Sequence, residues 1–403
     1  DVVASMTRWL TVNDRAASLL PGATFAVSGD HEVTCTLTEP AIDFLIILGN
    51  HSQYPGIFPS EVIEAAGDTG VTEYVGTGAY KLVEWKQDQY IHLTRNEDYV
   101  AAHGKASGYT GKVSAPTKDI YYQFVTEAST RVSGFETGEY DIAGEIPTEN
   151  YHDFDGNDDV KLYTHNAGVL TAFLNMNEGI FADEEIRKCA LMAIDCEAAA
   201  LAAYGEKELF NIDPNLGNPE NTQWATDAGK KYFNQADAKA AKKALAKTSY
   251  AGETVKLLTT PDYKDMYNAT VALQEQLEKA GFTAEVDSYE FATFMDIRSG
   301  KPEQWDLFVA STNYKPIPAQ SLSVSKAFYG LSDEKALKLV AETRTAKATD
   351  TAAKKWAEAQ ERLYEIAVIE PLCHYASITG TQADVEDVEV LDGAIIWNAK
   401  RPE

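Results

Sequence analysis

Between Thr254 and Ala310 the chain changes its hydrophobic period four times. Thr254 to Thr259 and Phe282 to Ser288 read as strands, and Tyr263 to Ala280 repeats apolar residues at helical spacing until Gly281 stops it. A helix from Phe291 to Ser299 and a strand from Trp305 to Ala310 repeat the pattern. Strand-helix-strand units with short connections place parallel strands side by side under their crossover helices. This predicts an α/β fold. At 403 residues with 44% hydrophobic content, the chain has material for two or three domains with proper cores.

The rest of the chain fits that class. Residues 1–20 read as one helix with Val2, Met6, Trp9 and Leu10 along a face, ended by Pro21-Gly22. Glu32 to Leu37 alternates like a strand, and Pro40 opens a helical or buried apolar segment through Leu48. From Gly76 to Val100 a Gly-Thr-Gly turn feeds an alternating run, with Tyr80 and Leu82 on one face and Lys81, Val83 and Trp85 on the other. The polar turn Lys86 to Gln89 returns into Tyr90 to Arg95, which predicts a β-hairpin. The G-x-G spacing is no phosphate cradle here, because a strand follows it and not a helix N-terminus.

Downstream, Ile120 to Val125 reads as a strand and Ser129 to Thr137 as a helix closed by Gly138. Asp141 reads as a cap or turn residue. Asp183 caps a helix with Ile186, Ala190, Ala193 and Ile194 on its apolar face, and Cys189 and Cys196 are read on that same helix. Asn211 to Thr226 is a loop, and Ala236 to Lys247, Asp333 to Lys347 and Asp350 to Ile366 are helices. Val368 to Thr379 is extended.

A net charge of −27 argues against nucleic acid or an anionic membrane as partner. No run of 18 apolar residues is present. The seven histidines (31, 51, 92, 103, 152, 165, 374) lack H-x-x-H or H-E-x-x-H spacing, and the four cysteines lack C-x-x-C. The cysteines read as buried free thiols. With no G-x-S-x-G and no Walker loop either, the residues point to no metal, no cofactor and no catalytic group.

Five segments taken in order carry a resemblance: DVVASMTRW, GTGAYKLVEW…RNEDY, TRVSGFETGEYDI, LNMN…FADEEIRKCALMAID and YEFATFMDIRSGKPEQWDLFVA. Together they resemble the family 5 extracellular solute-binding proteins, the oligopeptide-, dipeptide- and nickel-binding receptors of ABC importers. The resemblance implies a two-lobed type II periplasmic-binding-protein fold with hinge strands between the lobes. Residues 1–168 with 373–403 would form the first lobe and residues 169–372 the second. The crossings would lie near His165 to Ala172 and Pro371 to Ala376, with Arg187 a structural anchor. About the first quarter of a typical member would be absent, taking strands from the first lobe.

By the same resemblance, the chain would capture a peptide or another small polar solute, close about its hinge, and dock on the membrane permease as a monomer. It would work outside the cytoplasm, in a periplasm or as a cell-surface lipoprotein, with its signal segment outside this sequence. The implied ligand contacts are Asn166, Gly168, Leu170 and Thr171 on the first crossing, and Ser311, Thr312, Asn313, Tyr314 and Lys315 after the strand ending at Ala310. Peptide-binding members hold the ligand's amino group with a carboxylate at that second place. Here Leu307 to Ser332 contains no Asp or Glu, and Tyr314 or Lys315 stands at the acidic position. Lys315 facing the ligand would favour a carboxylate, phosphate or neutral solute; Lys315 facing solvent would leave the amine to another acid. Two other readings stay open: an α/β hydrolase-like enzyme with a carboxylate pair, and a non-transport surface binding module.

Overall fold

The computed structural model describes residues 1–50, 54–67 and 69–402. His51, one of the seven histidines, lies outside them. The chain forms two units, Asp1–His165 with Ile378–Glu403, and Asn166–Ser377. Both changes of unit fall inside long strands.

The first unit begins with two helices, α1 (Val2–Val12) and α2 (Asp14–Leu19), and not the single helix predicted over residues 1–20. Asn13 makes the break. Its backbone is extended, and its side-chain oxygen accepts the N–H of Ala16, so it caps the second helix. Met6, Trp9, Ala16, Leu20 and Ile47 form a buried cluster. The hairpin β1 (Thr24–Gly29) and β2 (Glu32–Thr36) follows; its first strand was not anticipated. Then come α3 (Phe44–Gly49) and α4 (Ser60–Ala66).

The predicted hairpin is present as β3 (Tyr80–Lys86) and β4 (Tyr90–Arg95), and β5 (Asp119–Gln123) pairs antiparallel with β4. Its alternation needs correcting. A bulge at Val83 places Leu82 opposite Leu93 and Trp85 opposite Ile91, so Leu82 and Trp85 share a face. One inserted residue reverses the alternation beyond it.

After α5 (Ala128–Glu136), Gly138 takes φ +74°, the left-handed turn expected of it. Next are β6 (Ile142–Ala143), α6 (Tyr151–Phe154) and β7 (Val160–Leu174). Asp141 stands at the bend before β6, where its carboxylate accepts from Arg401 Nη1 at 2.6 Å. The returning C-terminal segment is tied to the loop after β4 by Ser114 N–H donating to Asn398 Oδ1 at 2.6 Å and Thr117 Oγ1 to the Ala399 carbonyl at 2.7 Å.

The second unit contains α7 (Glu184–Ala193), α8 (Cys196–Tyr204), β8 (Phe210–Asn211), α9 (Ala238–Leu245), β9 (Thr254–Thr259), α10 (Lys264–Lys279), β10 (Thr283–Ser288), α11 (Phe291–Gly300) and β11 (Leu307–Asn313). It ends with α12 (Lys326–Tyr329), α13 (Glu334–Thr345), α14 (Thr349–Glu365) and β12 (Ile369–Gln382), whose last residues return to the first unit. There the chain adds β13 (Glu389–Val390) and β14 (Ala394–Ile395).

The sheet of the second unit runs β10-β9-β11-β7-β12, with β8 on β12. β10, β9 and β11 are parallel, as the two strand-helix-strand units require, and β7 is antiparallel to β11. Val255, Leu257, Leu258, Leu307, Phe308 and Val309 are all fully buried. A parallel sheet under crossover helices is built from such apolar strands, interrupted in β9 only by the exposed Lys256.

Cys189 and Cys196 lie on different helices. Ile194 is extended and Asp195 caps α8 by accepting the Ala198 N–H, so the apolar periodicity runs across a break. Asp183 caps α7 as expected, and all four cysteines are free. Arg187 is buried and donates to the carbonyls of Ile366, Phe181 and Ala182. Asp306, also buried, accepts the Ile180 and Lys256 N–H groups at 2.9 and 2.8 Å. Among the described residues, no helix is long and apolar enough to cross a membrane.

Candidate functional site

Within the second unit, β7 and β11 place the nine expected contact residues in two adjoining strands and the turn beyond them. The rungs are Gly168 with Asn313, Val169 with Thr312, Leu170 with Ser311 and Thr171 with Ala310, and Tyr314 N–H donates to the Ala167 carbonyl. Position along these rungs decides which side chains are available. Leu170 and Thr171 are buried. Asn166, Ser311, Thr312, Tyr314 and Lys315 are half-buried, and Asn313 is exposed. The polar groups therefore gather where β11 ends and β7 begins.

Gly168 is required by a close approach. A Cβ there would lie 2.2 Å from the Thr312 carbonyl oxygen and 2.6 Å from the Tyr375 hydroxyl, too near for any side chain. That closeness brings Tyr375, from β12, to the end of β11, where its hydroxyl donates to Asn313 Oδ1 at 3.0 Å. Tyr375 stacks on Tyr204 of α8, ring centroids 5.6 Å apart, and the Tyr204 hydroxyl donates to Asp265 Oδ2. With its oxygen accepting from Tyr375, the exposed Asn313 keeps its amide hydrogens to offer.

Tyr314 is held by a second residue of β12. Its hydroxyl lies 2.7 Å from His374 Nδ1, and His374 Nε2 lies 3.2 Å from the Asp213 carbonyl oxygen. His374 is buried, and desolvation lowers its pKa against the opposing pull of Asp213, so the ring is neutral. Burial first, then the charges of Glu220, Tyr375, Cys373 and Asp213, push the Tyr314 phenol well above its ordinary range. The Glu220 carboxylate accepts from Asn166 Nδ2 at 2.6 Å. Among the described residues, the buried hydroxyl of Thr312 has no hydrogen-bond partner. No three His, Cys, Asp or Glu among them are grouped to hold a metal ion.

Sequence reasoning missed Tyr204, Asp213, Glu220, His374 and Tyr375. The last two lay inside the expected crossing from Pro371 to Ala376, and that position was the available signal. Glu220 sits in the loop between β8 and α9 and carried none.

The arrangement offers donors, acceptors and one exposed carboxylate at a strand end. A family model of bacterial extracellular solute-binding proteins, family 5 (middle region), matches residues 1–332. The chain belongs to that family.

Family 5 members are solute-binding proteins. One relative, a probable peptide ABC transporter periplasmic-binding protein of Sinorhizobium fredii, is 26% identical over 362 residues, covering 82% of this chain. The chain spans only 65% of that relative's length. Among solved structures, the substrate-binding protein CtaP of Listeria monocytogenes superposes with a TM-score of 0.81 at 18% identity, covering 96% of this chain and 79% of that one. The binding protein AgaA in complex with agropinic acid, from A. tumefaciens R10, gives 0.76 at 20% identity, covering 100% and 83%. The expected fold class, α/β of the type II periplasmic-binding-protein kind, is the fold of these family 5 neighbours.

Proposed function

We propose that this chain is the substrate-binding component of an ABC importer, capturing a peptide or related small polar solute at the end of β7 and β11. The observation that carries the reading is the strand-end array of Asn166, Thr312, Asn313 and Tyr314 in a family 5 chain. Amide donors, a phenol and an exposed carboxylate suit the binding of a polar solute, and the reading is one of capture and not of catalysis. Leu170 and Thr171 shape the strand beneath and add no side-chain contact.

As the resemblance implies, the lobes would be residues 1–168 with 373–403 and residues 169–372, and the solute would favour their closed state by differential affinity. The closed monomer delivers its cargo to permease subunits on the outer side of a membrane. Relatives named for peptides and a neighbour holding agropinic acid support the breadth of the solute class.

Charge at the site admits two solute polarities. Lys315 facing the solute would favour a carboxylate-bearing one. The Glu220 carboxylate, beside Asn166 and felt by Tyr314, supplies the acid that Leu307 to Ser332 lacks and favours an amine. A thermal-shift series with trialanine, N-acetyltrialanine and agropinic acid tests both levels. At 100-fold excess over Kd a solute adds about 2.7 kcal/mol of apparent stability. A rise in Tm with any of the three is expected. Stabilisation by none would overturn the solute-binding reading, and selective stabilisation by trialanine would assign the charge to Glu220 over Lys315.

A further inference from the structure

We infer that His374 is a positioning residue that holds the Tyr314 hydroxyl as a hydrogen-bond acceptor toward the solute, so that this strand end selects a solute group that donates, and that protonating His374 reverses the preference. The inference rests on the solute-binding reading above.

The argument is one of donors and acceptors. A backbone carbonyl can only accept, so the contact of Nε2 with the Asp213 oxygen places the ring proton on Nε2. In a neutral imidazole Nδ1 is then an acceptor, and the Tyr314 hydroxyl 2.7 Å away must donate to it. Its only hydrogen is engaged there, and the phenol oxygen presents lone pairs to whatever else approaches. Asn313 is fixed in the complementary sense, because Tyr375 occupies its oxygen and leaves its amide hydrogens. The two neighbours thus present opposite polarities, and each is set from β12 by consecutive residues, His374 and Tyr375.

Protonation changes one of them. With a proton on Nδ1, His374 donates to the Tyr314 oxygen, and the phenol hydrogen must rotate away toward the solute. The strand end then offers donors from both residues. The titratable groups around the couple are Asp213 and Glu220 from the loop after β8, and Cys373 and Tyr375 on its own strand. Asp213 is engaged by Asn215 through its N–H and side-chain amide, and Glu220 by Asn166. Burial pushes the Cys373 thiol up, so it stays uncharged while His374 titrates.

Two peptides of equal length provide the test. Trialanine carries an ammonium donor, whereas pyruvoyl-alanyl-alanine carries a ketone, an acceptor only, in its place. At about pH 7.5 trialanine should bind at least about tenfold tighter, and Tyr314→Phe should remove about that factor. Once the pH is low enough to protonate His374, whose burial holds its pKa below the ordinary value, the ratio should fall toward one or invert. His374→Asn, which keeps an acceptor near the Nδ1 position, should retain the preference but lose its pH dependence, an outcome that a merely structural histidine would not give. In ¹⁵N spectra of the imidazole, the signal absent from His374→Asn should be that of the Nε2–H tautomer. An Nδ1–H tautomer, or peptide binding whose ratio ignores both Tyr314→Phe and pH, would overturn this inference while leaving solute binding intact. Failure of the wild-type protein to bind either peptide would overturn both.

Discussion

Two sheets of this protein bury their residues in opposite ways. In the second unit, Val255, Leu257 and Leu258 of β9 are wholly buried, as are Leu307, Phe308 and Val309 of β11. In the first unit, the three-stranded sheet of β3, β4 and β5 leaves Val83, Trp85 and Tyr122 at 53%, 52% and 45% exposure. The difference teaches where polar groups become critical. A parallel sheet under helices has no wet face, so each polar side chain near it needs partners within the protein. The exposed sheet has water to satisfy its own.

Arg187 provides the severest test of that contrast. Its guanidinium serves three carbonyls, two at the turn before α7 and one, Ile366, at the end of α14. Burial pulls its pKa down while the carboxylates of Glu184 and Asp183 oppose the shift. Arg187→Met keeps much of the volume but strands those carbonyls in the interior, which should cost roughly 3–5 kcal/mol. Arg187→Lys should recover only part, because a compact ammonium cannot reproduce the planar fork. Urea denaturation measures both, and a loss below about 1 kcal/mol for Arg187→Met would break the contrast.

Glu370 is the next largest effect. It is fully buried on β12; one oxygen accepts from Asn234 N–H and the Cys196 thiol, and the other has no partner among the described residues. Desolvation raises its pKa to about 8, against the lowering influence of those two donors. The folded protein therefore holds a proton that the unfolded chain has released above its ordinary value of 4.5. This contribution is fully present below that value and is lost as pH rises through about 8, where the buried carboxylate ionises. Between pH 6 and 9 wild-type stability should fall by about 2–3 kcal/mol from this group, and Glu370→Gln should flatten the profile. Parallel profiles for the two proteins would show that Glu370 does not titrate in this window.

Much of the second unit was legible because its period is unambiguous: β9, α10 and β10 stand within a residue of the expected bounds, and Asp183 caps the expected helix. The breaks at Asn13 and at Ile194-Asp195 were not, since apolar spacing continues through both while a side-chain cap starts a new helix. The bulge at Val83 was hidden for a related reason, because an inserted residue of strand-forming type leaves the local composition unchanged. At the candidate site, Asn313 and Tyr314 were expected from family resemblance alone. Their partners were not. Tyr314 meets His374 across 60 residues, and periodicity carries no information on such a pairing.

The smallest effect belongs on the exposed sheet, at Val83. It stands in the bulge between the Leu82–Leu93 and Glu84–His92 rungs, unpaired in register and more than half exposed. Val83→Thr keeps the branched shape that suits a strand and places its hydroxyl where water can reach it. The expected change is within about 0.5 kcal/mol, as for surface substitutions generally. The same exchange at Val255 of β9, fully buried between covered faces, should cost about 1–3 kcal/mol for a hydroxyl without water. Measuring the pair by urea denaturation sharpens the comparison at constant chemistry. Equal losses at the two positions would mean that the face bearing Val83 is covered in solution and that the two sheets obey one rule.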